Sequence, residues 1–159
     1  MSEYAIHVKE LEPVRVAALR GRAAGPGDEN IGPVLRPLYP RLGELLGKAG
    51  IKPTGPAMAL YEDSGKRETP LTFTAAMPIG QAEPGSGAGF EVLDVPATRA
   101  ATTVHRGDMA SVGRGYEALM HWADAAGERV DGCGREVYVD CNGPENTWVT
   151  ELQFALAPR

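Results

Sequence analysis

Two segments of the chain, GPAMALY at residues 55–61 and GCGREVY at residues 132–138, correspond position by position and determine the predicted fold. The same offset of 77 positions aligns residues of similar character on either side of them. The aligned pairs are Tyr39 with Tyr116, Leu42 with Leu119, Gly50 with Gly127, Gly55 with Gly132, Tyr61 with Tyr138, Met77 with Phe154 and Ile79 with Leu156. Two copies of one unit are expected to pack about a pseudo-twofold axis, and the groove between such copies is a common place for a ligand.

The composition limits the class of protein. A chain of 159 residues is expected to form one domain. Its net charge of −5 argues against a nucleic-acid surface, which needs clustered Lys and Arg. No apolar stretch approaches the ~20 residues of a membrane span, and the first ten residues, MSEYAIHVKE, lack the apolar core of a signal peptide. We expect a single cytoplasmic domain over residues 1–159, with no direct contact to nucleic acid or membrane.

The cysteines and histidines give no sign of a metal site or a disulfide. Cys133 and Cys141 flank a segment predicted to be extended, which would hold them about 26 Å apart, beyond the reach of a disulfide. We expect free thiols in a reducing compartment. His7, His105 and His121 do not have the spacing of metal ligands. No metal and no cofactor is expected.

Each half of the chain is predicted to contain a pair of strands, a helix and a second pair of strands. Repeat one covers about residues 4–79, and repeat two covers about residues 90–157, with a linker at about 80–89. We expect Pro13 and Pro96 to mark the turn of a hairpin in each repeat. The predicted class is α+β, in which antiparallel sheets carry the helices on one face and a ligand groove on the other. The predicted strands are 4–10, 14–20, 57–62, 70–79, 90–95, 97–105, 135–140 and 147–157, and the predicted helices are 40–48 and 109–126.

Alternation along the strands predicts which side chains face the groove. In the final strand, Leu152 and Phe154 are expected to pack beneath the helices because they form its apolar side. By the same criterion Val137 faces the helices in the penultimate strand, and Glu136 then lies on the open face. The side chains placed on the open face are Glu136, Tyr138, Glu151, Tyr61, Ala59, Thr72 and Thr74.

These side chains suggest a binding site for an aromatic cation. Aromatic walls with an acid at the base suit a cationic ligand, and such a ligand would stabilise the charged form of a buried carboxylate. Glu and Tyr are also common on an ordinary solvated sheet face, and the pattern alone leaves both interpretations open. The predicted ligand-binding residues are Glu136, Tyr138, Tyr61, Glu151, Tyr116 and Tyr39, of which the last two belong either to one end of the groove or to the core.

Four motifs together resemble a known family. EPVRVAALR, GPAMALY, REVYVD and TELQFAL, in this order and spacing, are similar to the GyrI-like domain, the effector-binding domain of AraC-type and MerR-type multidrug-sensing bacterial regulators. The resemblance runs from about Tyr4 to Ala157. It implies a two-repeat α+β fold whose groove binds small lipophilic cations, with a Glu in an E-x-Y pattern projecting into the pocket. Here that pattern is Glu136-Val137-Tyr138.

Two features differ from the fuller members of that family. The sequence predicts no DNA-binding module, so a stand-alone form is expected, and aromatic residues are only 6% of the chain, fewer than some multidrug pockets use. Three functions stay open on this basis. The first is a sensor or sequestering protein for a lipophilic cation. The second is a hydrolase of strained electrophilic cyclopropanoid compounds with Glu136 as the catalytic acid or base. The third is a protein-interaction inhibitor of the gyrase-inhibitor type, whose protein partner is unidentified.

Overall fold

The computed structural model describes residues 4–25, 27–61, 71–85 and 87–158, and the predicted hairpin loop at 63–68 lies outside them. In the described residues eight strands and three α-helices are formed, together with 3₁₀ helices at Met109–Ser111 and Glu145–Thr147. No helix in these ranges is long and apolar enough to cross a membrane. The strands are β1 (His7–Leu11), β2 (Val14–Ala23), β3 (Met58–Tyr61), β4 (Leu71–Pro78), β5 (Glu91–Val95), β6 (Thr98–Arg106), β7 (Val130–Asp140) and β8 (Val149–Leu156), and the helices are α1 (Asp28–Leu35), α2 (Leu38–Lys48) and α3 (Gly113–Ala126).

The strands form one antiparallel sheet in the order β1-β6-β8-β7-β3-β4-β2-β5. This order reads the same from both ends when each strand is exchanged for its counterpart in the other half, β1 for β5 and so on. The halves meet where β3 pairs with β7, with Ala59 opposite Glu136. The predicted α+β fold with two pseudo-symmetric repeats is therefore confirmed, while the bounds of the repeats stay a prediction.

The two predicted hairpins are wrong. β1 pairs with β6 rather than with β2, and β5 pairs with β2 rather than with β6. Both long edges of β2 are already occupied, by β4 and β5, and those of β6 by β1 and β8. The first strand of each half therefore crosses to the sheet of the other half and covers its outer strand. The short connections after Leu11 and Val95 look like hairpin turns in the sequence. The sequence does not show that β1 and β5 each pair with a strand far away along the chain.

Helical structure in the first half begins earlier than predicted. Pro37 and Pro40 interrupt the helical pattern and predict an irregular first turn with a regular helix only from about Pro40, but α1 is already formed, across Pro33, and α2 begins after Pro37. A single proline removes one hydrogen bond from a helix, and here the helix continues past it. The predicted helix at 109–126 is present as a 3₁₀ turn followed by α3, and Gly127 ends α3 in the left-handed conformation at φ +69°.

The prediction of which sheet face carries the groove is also wrong. Directly paired residues share a face, and Glu136 pairs with Leu152, which packs against Leu119 of α3. Glu136 therefore lies on the same face as the helices. Val137 belongs to an apolar cluster on the opposite face with Val16 and Met58. Because both faces of the central strands carry apolar clusters, hydrophobicity could not show which face the helices cover. If the wrong set of alternating residues is assigned to the helix-facing side, every side chain of the strand is placed on the wrong face.

The same correction applies to the first half. Tyr61 and Ala59 lie on the helix-facing side, where Ala59 packs with Leu35 of α1 and with Phe73. Thr72 and Thr74 alternate with Phe73 and point away from the helices, as predicted. The helices of the two halves thus stand on one face of the sheet, and the cleft described next lies between them.

Candidate functional site

A cleft of about 1880 Å³ separates the α1–α2 side of the molecule from the α3 side. Its base is formed by the central strands, and its walls are formed by the helices. The volume exceeds the ~300–1,000 Å³ of most small-molecule pockets, so a large multi-ring ligand could enter it. Side chains that line it include Ile31, Leu35, Tyr39, Tyr61, Val112, Tyr116, Met120, Glu136, Tyr138 and Phe154.

Glu136 lies at the base of the cleft, and the residue is 4% exposed. The Tyr138 hydroxyl donates to Oε1 at 2.8 Å, and the Tyr61 hydroxyl approaches the same oxygen at 3.4 Å. The Tyr116 hydroxyl donates to Oε2. In the described part of the chain, all hydrogen bonds of this carboxylate are therefore with phenols, which carry no positive charge.

Aromatic rings surround this carboxylate on several sides. The Tyr116 ring stacks on Phe154 with centroids 5.3 Å apart, and the Tyr39 and Tyr138 rings meet edge to face at 5.7 Å. The Tyr39 hydroxyl donates to the carbonyl of Met58 at 2.8 Å. The rings are held in place by packing and by these hydrogen bonds, so the apolar walls are preorganised around the acid.

Burial determines the protonation behaviour of the site. Desolvation is the largest cause that raises the pKa of Glu136, whereas the hydrogen bonds from Tyr116, Tyr138 and Tyr61 lower this pKa in part. The charge of Asp28 raises it further. Burial followed by the charge of Glu136 also raises the pKa values of the Tyr61, Tyr116 and Tyr138 hydroxyls. The tyrosines therefore remain protonated donors, and the carboxyl is an acid that a nearby cation would help to ionise.

Five of the six predicted site residues meet in this cleft. They are Glu136, Tyr138, Tyr61, Tyr116 and Tyr39. Glu151 is not brought to it, because it pairs with Val137 and Val104 on the opposite face of the sheet. There its carboxylate forms an ion pair with Lys9 at 3.0 Å and accepts a hydrogen bond from Gln153 at 2.6 Å. The site therefore has one central carboxylate rather than the two that the sequence suggested.

Other cleft residues were missed. Ile31 and Leu35 form part of the α1–α2 wall, and Val112 and Met120 form part of the α3 wall. The spacing of Ile31 and Leu35, four residues apart, was the signal that could have placed them on one helical face. Carboxylates also outnumber arginines among the lining residues, which favours cations over anions. The lining carboxylates are Asp28, Glu29, Glu117, Asp124, Glu128 and Glu136, and the lining arginines are Arg36 and Arg129.

The described residues of the cleft do not form a metal site. In residues 4–25, 27–61, 71–85 and 87–158, no group of three or more His, Cys, Asp or Glu side chains is placed to hold a metal ion. Cys133 and Cys141 are not in a disulfide. The chemistry available at the base of the cleft is that of a carboxyl group and phenols.

Comparison with known proteins identifies the family and the fold. The profile of the GyrI-like small molecule binding domain matches residues 4–157. The chain belongs to the GyrI-like family. No match was found among curated proteins.

Solved structures of GyrI-like fold are similar over almost the whole chain. The C-terminal domain of EcmrR is 23% identical with a TM-score of 0.84, and each chain is covered to 98%. EcmrR in a complex with DNA is 24% identical with a TM-score of 0.82, and the match covers 96% of this chain and 57% of that one. SAV2435 bound to tetraphenylphosphonium is 11% identical with a TM-score of 0.65, covering 96% and 94% of the two chains. At these identities the likeness shows the fold.

Proposed function

We propose that this GyrI-like chain binds small lipophilic cations in the cleft, as a sensor or a sequestering protein, with Glu136 as the counter-charge and the tyrosines as aromatic walls. The observation that carries the proposal is the environment of Glu136. Its carboxylate is buried at the base of a large cleft and contacts phenols rather than a cationic side chain. A buried charge without a cation is costly, and a positive ligand would offset that cost.

The shape of the cleft supports a ligand with several rings. Tyr138 and Tyr116 offer ring faces or edges beside the carboxylate, and such surfaces attract delocalised cations. A relative of the same fold, SAV2435, has been solved with tetraphenylphosphonium, a lipophilic cation with four phenyl rings. That compound is a suitable first test ligand for this chain. Its positive charge is spread over a large aromatic cation, so its binding does not depend on one directional hydrogen bond.

Calorimetric titration with tetraphenylphosphonium tests the proposal. Glu136→Gln keeps the size of the side chain and removes its charge, and we expect it to weaken binding about 30- to 700-fold, ~2–4 kcal/mol. Glu151→Gln is the matched control, because it makes the same change on the opposite face of the sheet. Its affinity should stay within about twofold of the unmodified protein, since Glu151 lies on the face away from the cleft and its charge is paired with Lys9. Equal affinity in all three proteins would refute the role of Glu136.

A second candidate function is hydrolysis of strained electrophilic cyclopropanoid compounds. It is favoured by one observation, the buried carboxyl of Glu136 beside three hydroxyl groups, where burial raises its pKa. Such a carboxyl could protonate a substrate or activate water. A hydrolase from Listeria innocua has a related fold, at 10% identity and a TM-score of 0.63. Turnover that is lost in Glu136→Gln while the protein stays folded would support this function over simple binding.

A further inference from the structure

A cluster of three charged side chains joins the two sides of the cleft. Arg36 directly follows α1 in the first half, and its Nη2 donates to Asp28 Oδ1 at 3.0 Å and to Glu145 Oε1 at 3.4 Å. Glu145 begins the 3₁₀ helix Glu145–Thr147 in the second half. The same Oε1 accepts the backbone N–H of Met109 at 3.2 Å. One carboxylate oxygen therefore connects α1 with both 3₁₀ helices of the other half.

The local sequence of α1 makes room for this cluster. Asp28 and Arg36 lie eight positions apart, and their side chains meet over Gly32. A Cβ at Gly32 would lie 3.0 Å from Asp28 Oδ1 and 3.1 Å from Arg36 Nη1, so any larger residue would press on the ion pair. The absence of a side chain at this position allows the guanidinium to reach both carboxylates.

The cluster also borders the proposed ligand site. Asp28, Gly32, Arg36 and Met109 all line the cleft that contains Glu136. α1 packs on β2 and β4 of its own half and against the 3₁₀ helix Met109–Ser111 of the other half. A movement of α1 away from that 3₁₀ helix would therefore widen the cleft on this side, and the Arg36–Glu145 pair opposes that movement.

We propose that the ion pair of Arg36 with Glu145 is a strap across the cleft, which holds α1 against the second half and limits how fast a ligand enters and leaves. The claim that the pair limits ligand entry and exit rests on the function proposed above. The claim that it holds α1 against the second half does not. The side chains are 48% and 43% exposed, so the strap is weak and sensitive to salt.

The first experiment measures the strap without a ligand. In Glu145→Gln the charge is removed, but an amide oxygen can still accept the N–H of Met109. We expect amide hydrogen exchange in α1 and at Met109–Ser111 to become up to about fivefold faster, the factor that corresponds to an exposed ion pair. Glu91→Gln is the control, because it breaks the pair of Arg20 with Glu91, at 3.2 Å, on the β2–β5 edge. Unchanged exchange in α1 of Glu145→Gln would overturn the proposal.

The second experiment measures ligand exchange by stopped flow with tetraphenylphosphonium. Because the strap is present with or without a ligand, breaking it should raise the association and dissociation rates together, by about two- to fivefold, with little change in Kd. In Arg36→Gln, hydrogen exchange in α1 should not become faster still when Glu145→Gln is added, because either change alone breaks the pair. A rise in the dissociation rate alone would mean that Glu145 acts as a ligand contact and would contradict the strap. If tetraphenylphosphonium does not bind the unmodified protein, the proposed function fails. The amide hydrogen exchange experiment, which needs no ligand, then still tests the strap.

Discussion

Removal of the Tyr116 hydroxyl should destabilise the protein in a way that depends on pH. In Tyr116→Phe the ring can keep its stacking on Phe154, and the change is confined to the hydroxyl that donates to Glu136 Oε2. This hydrogen bond lowers the pKa of Glu136, against the larger raising effect of burial. The variant therefore has a higher folded-state pKa at Glu136 than the unmodified protein, and its carboxylate is harder to ionise.

The size of the effect follows from the charge of the acceptor. A hydrogen bond to an ionised group contributes ~1.5–3 kcal/mol, and one to a neutral group contributes ~0.5–1.5 kcal/mol. At a pH below the folded-state pKa of Glu136 the carboxyl is neutral in both proteins, and the loss should be the smaller figure. As pH rises through that pKa, the unmodified protein ionises first, so the loss of unfolding free energy grows and then levels off at the larger figure.

Urea unfolding at two pH values, one at about pH 4 and one high enough that the difference no longer grows with pH, measures this difference. Tyr39→Phe is the matched control, because its hydroxyl is buried in the same site but donates to the neutral carbonyl of Met58. Its cost should be ~0.5–1.5 kcal/mol at both pH values. A cost for Tyr116→Phe that is as independent of pH as that of Tyr39→Phe would refute the reasoning.

Three other predictions concern the carboxylate, the helix packing and the thiols. Glu136→Gln should be more stable than the unmodified protein above the raised folded-state pKa, and urea unfolding should show this gain disappearing below the ordinary glutamate pKa, where both states are protonated. Gly115→Ala should lower the unfolding free energy by ~1–3 kcal/mol because its Cβ would lie 2.5 Å from the buried Leu152, whereas Gly113→Ala, with open space, should not, as thermal unfolding would record. A thiol reagent followed by mass spectrometry should modify the exposed Cys133 before Cys141, since burial raises the pKa of the Cys141 thiol; the reverse order would contradict this.

The repeat and the carboxylate at the base of the cleft could be singled out from the sequence, but their arrangement could not. The alignment of Tyr61 with Tyr138 correctly indicated two related halves, and the pattern from Glu136 to Tyr138 drew attention to residues that do meet in one cleft. The face was wrong because Val137 has an apolar cluster of its own on the side away from the helices. Alternation fixes which residues share a face of one strand, and only contacts between elements decide which face the helices cover.

Pairing between distant strands explains the other errors. β1 and β2 are neighbours in the chain, yet they lie six places apart in the sheet order. The reason is that the first strand of each half pairs with a strand of the other half, β1 with β6 and β5 with β2. No local signal marks such an exchange. Glu151 was grouped with Glu136 because both were assigned to one face, and the register of β7 with β8 separates them by placing Glu151 opposite Val137.

The position of a bound cation tests the central claim most directly. Tetraphenylarsonium has the same shape and charge as tetraphenylphosphonium, and its arsenic can be located in a crystal by anomalous scattering. The account predicts one arsenic peak in the cleft between the α1–α2 side and α3, with Glu136 as the nearest carboxylate and tyrosine rings around it. A peak nearest to Glu151 or to another carboxylate outside the cleft would contradict it.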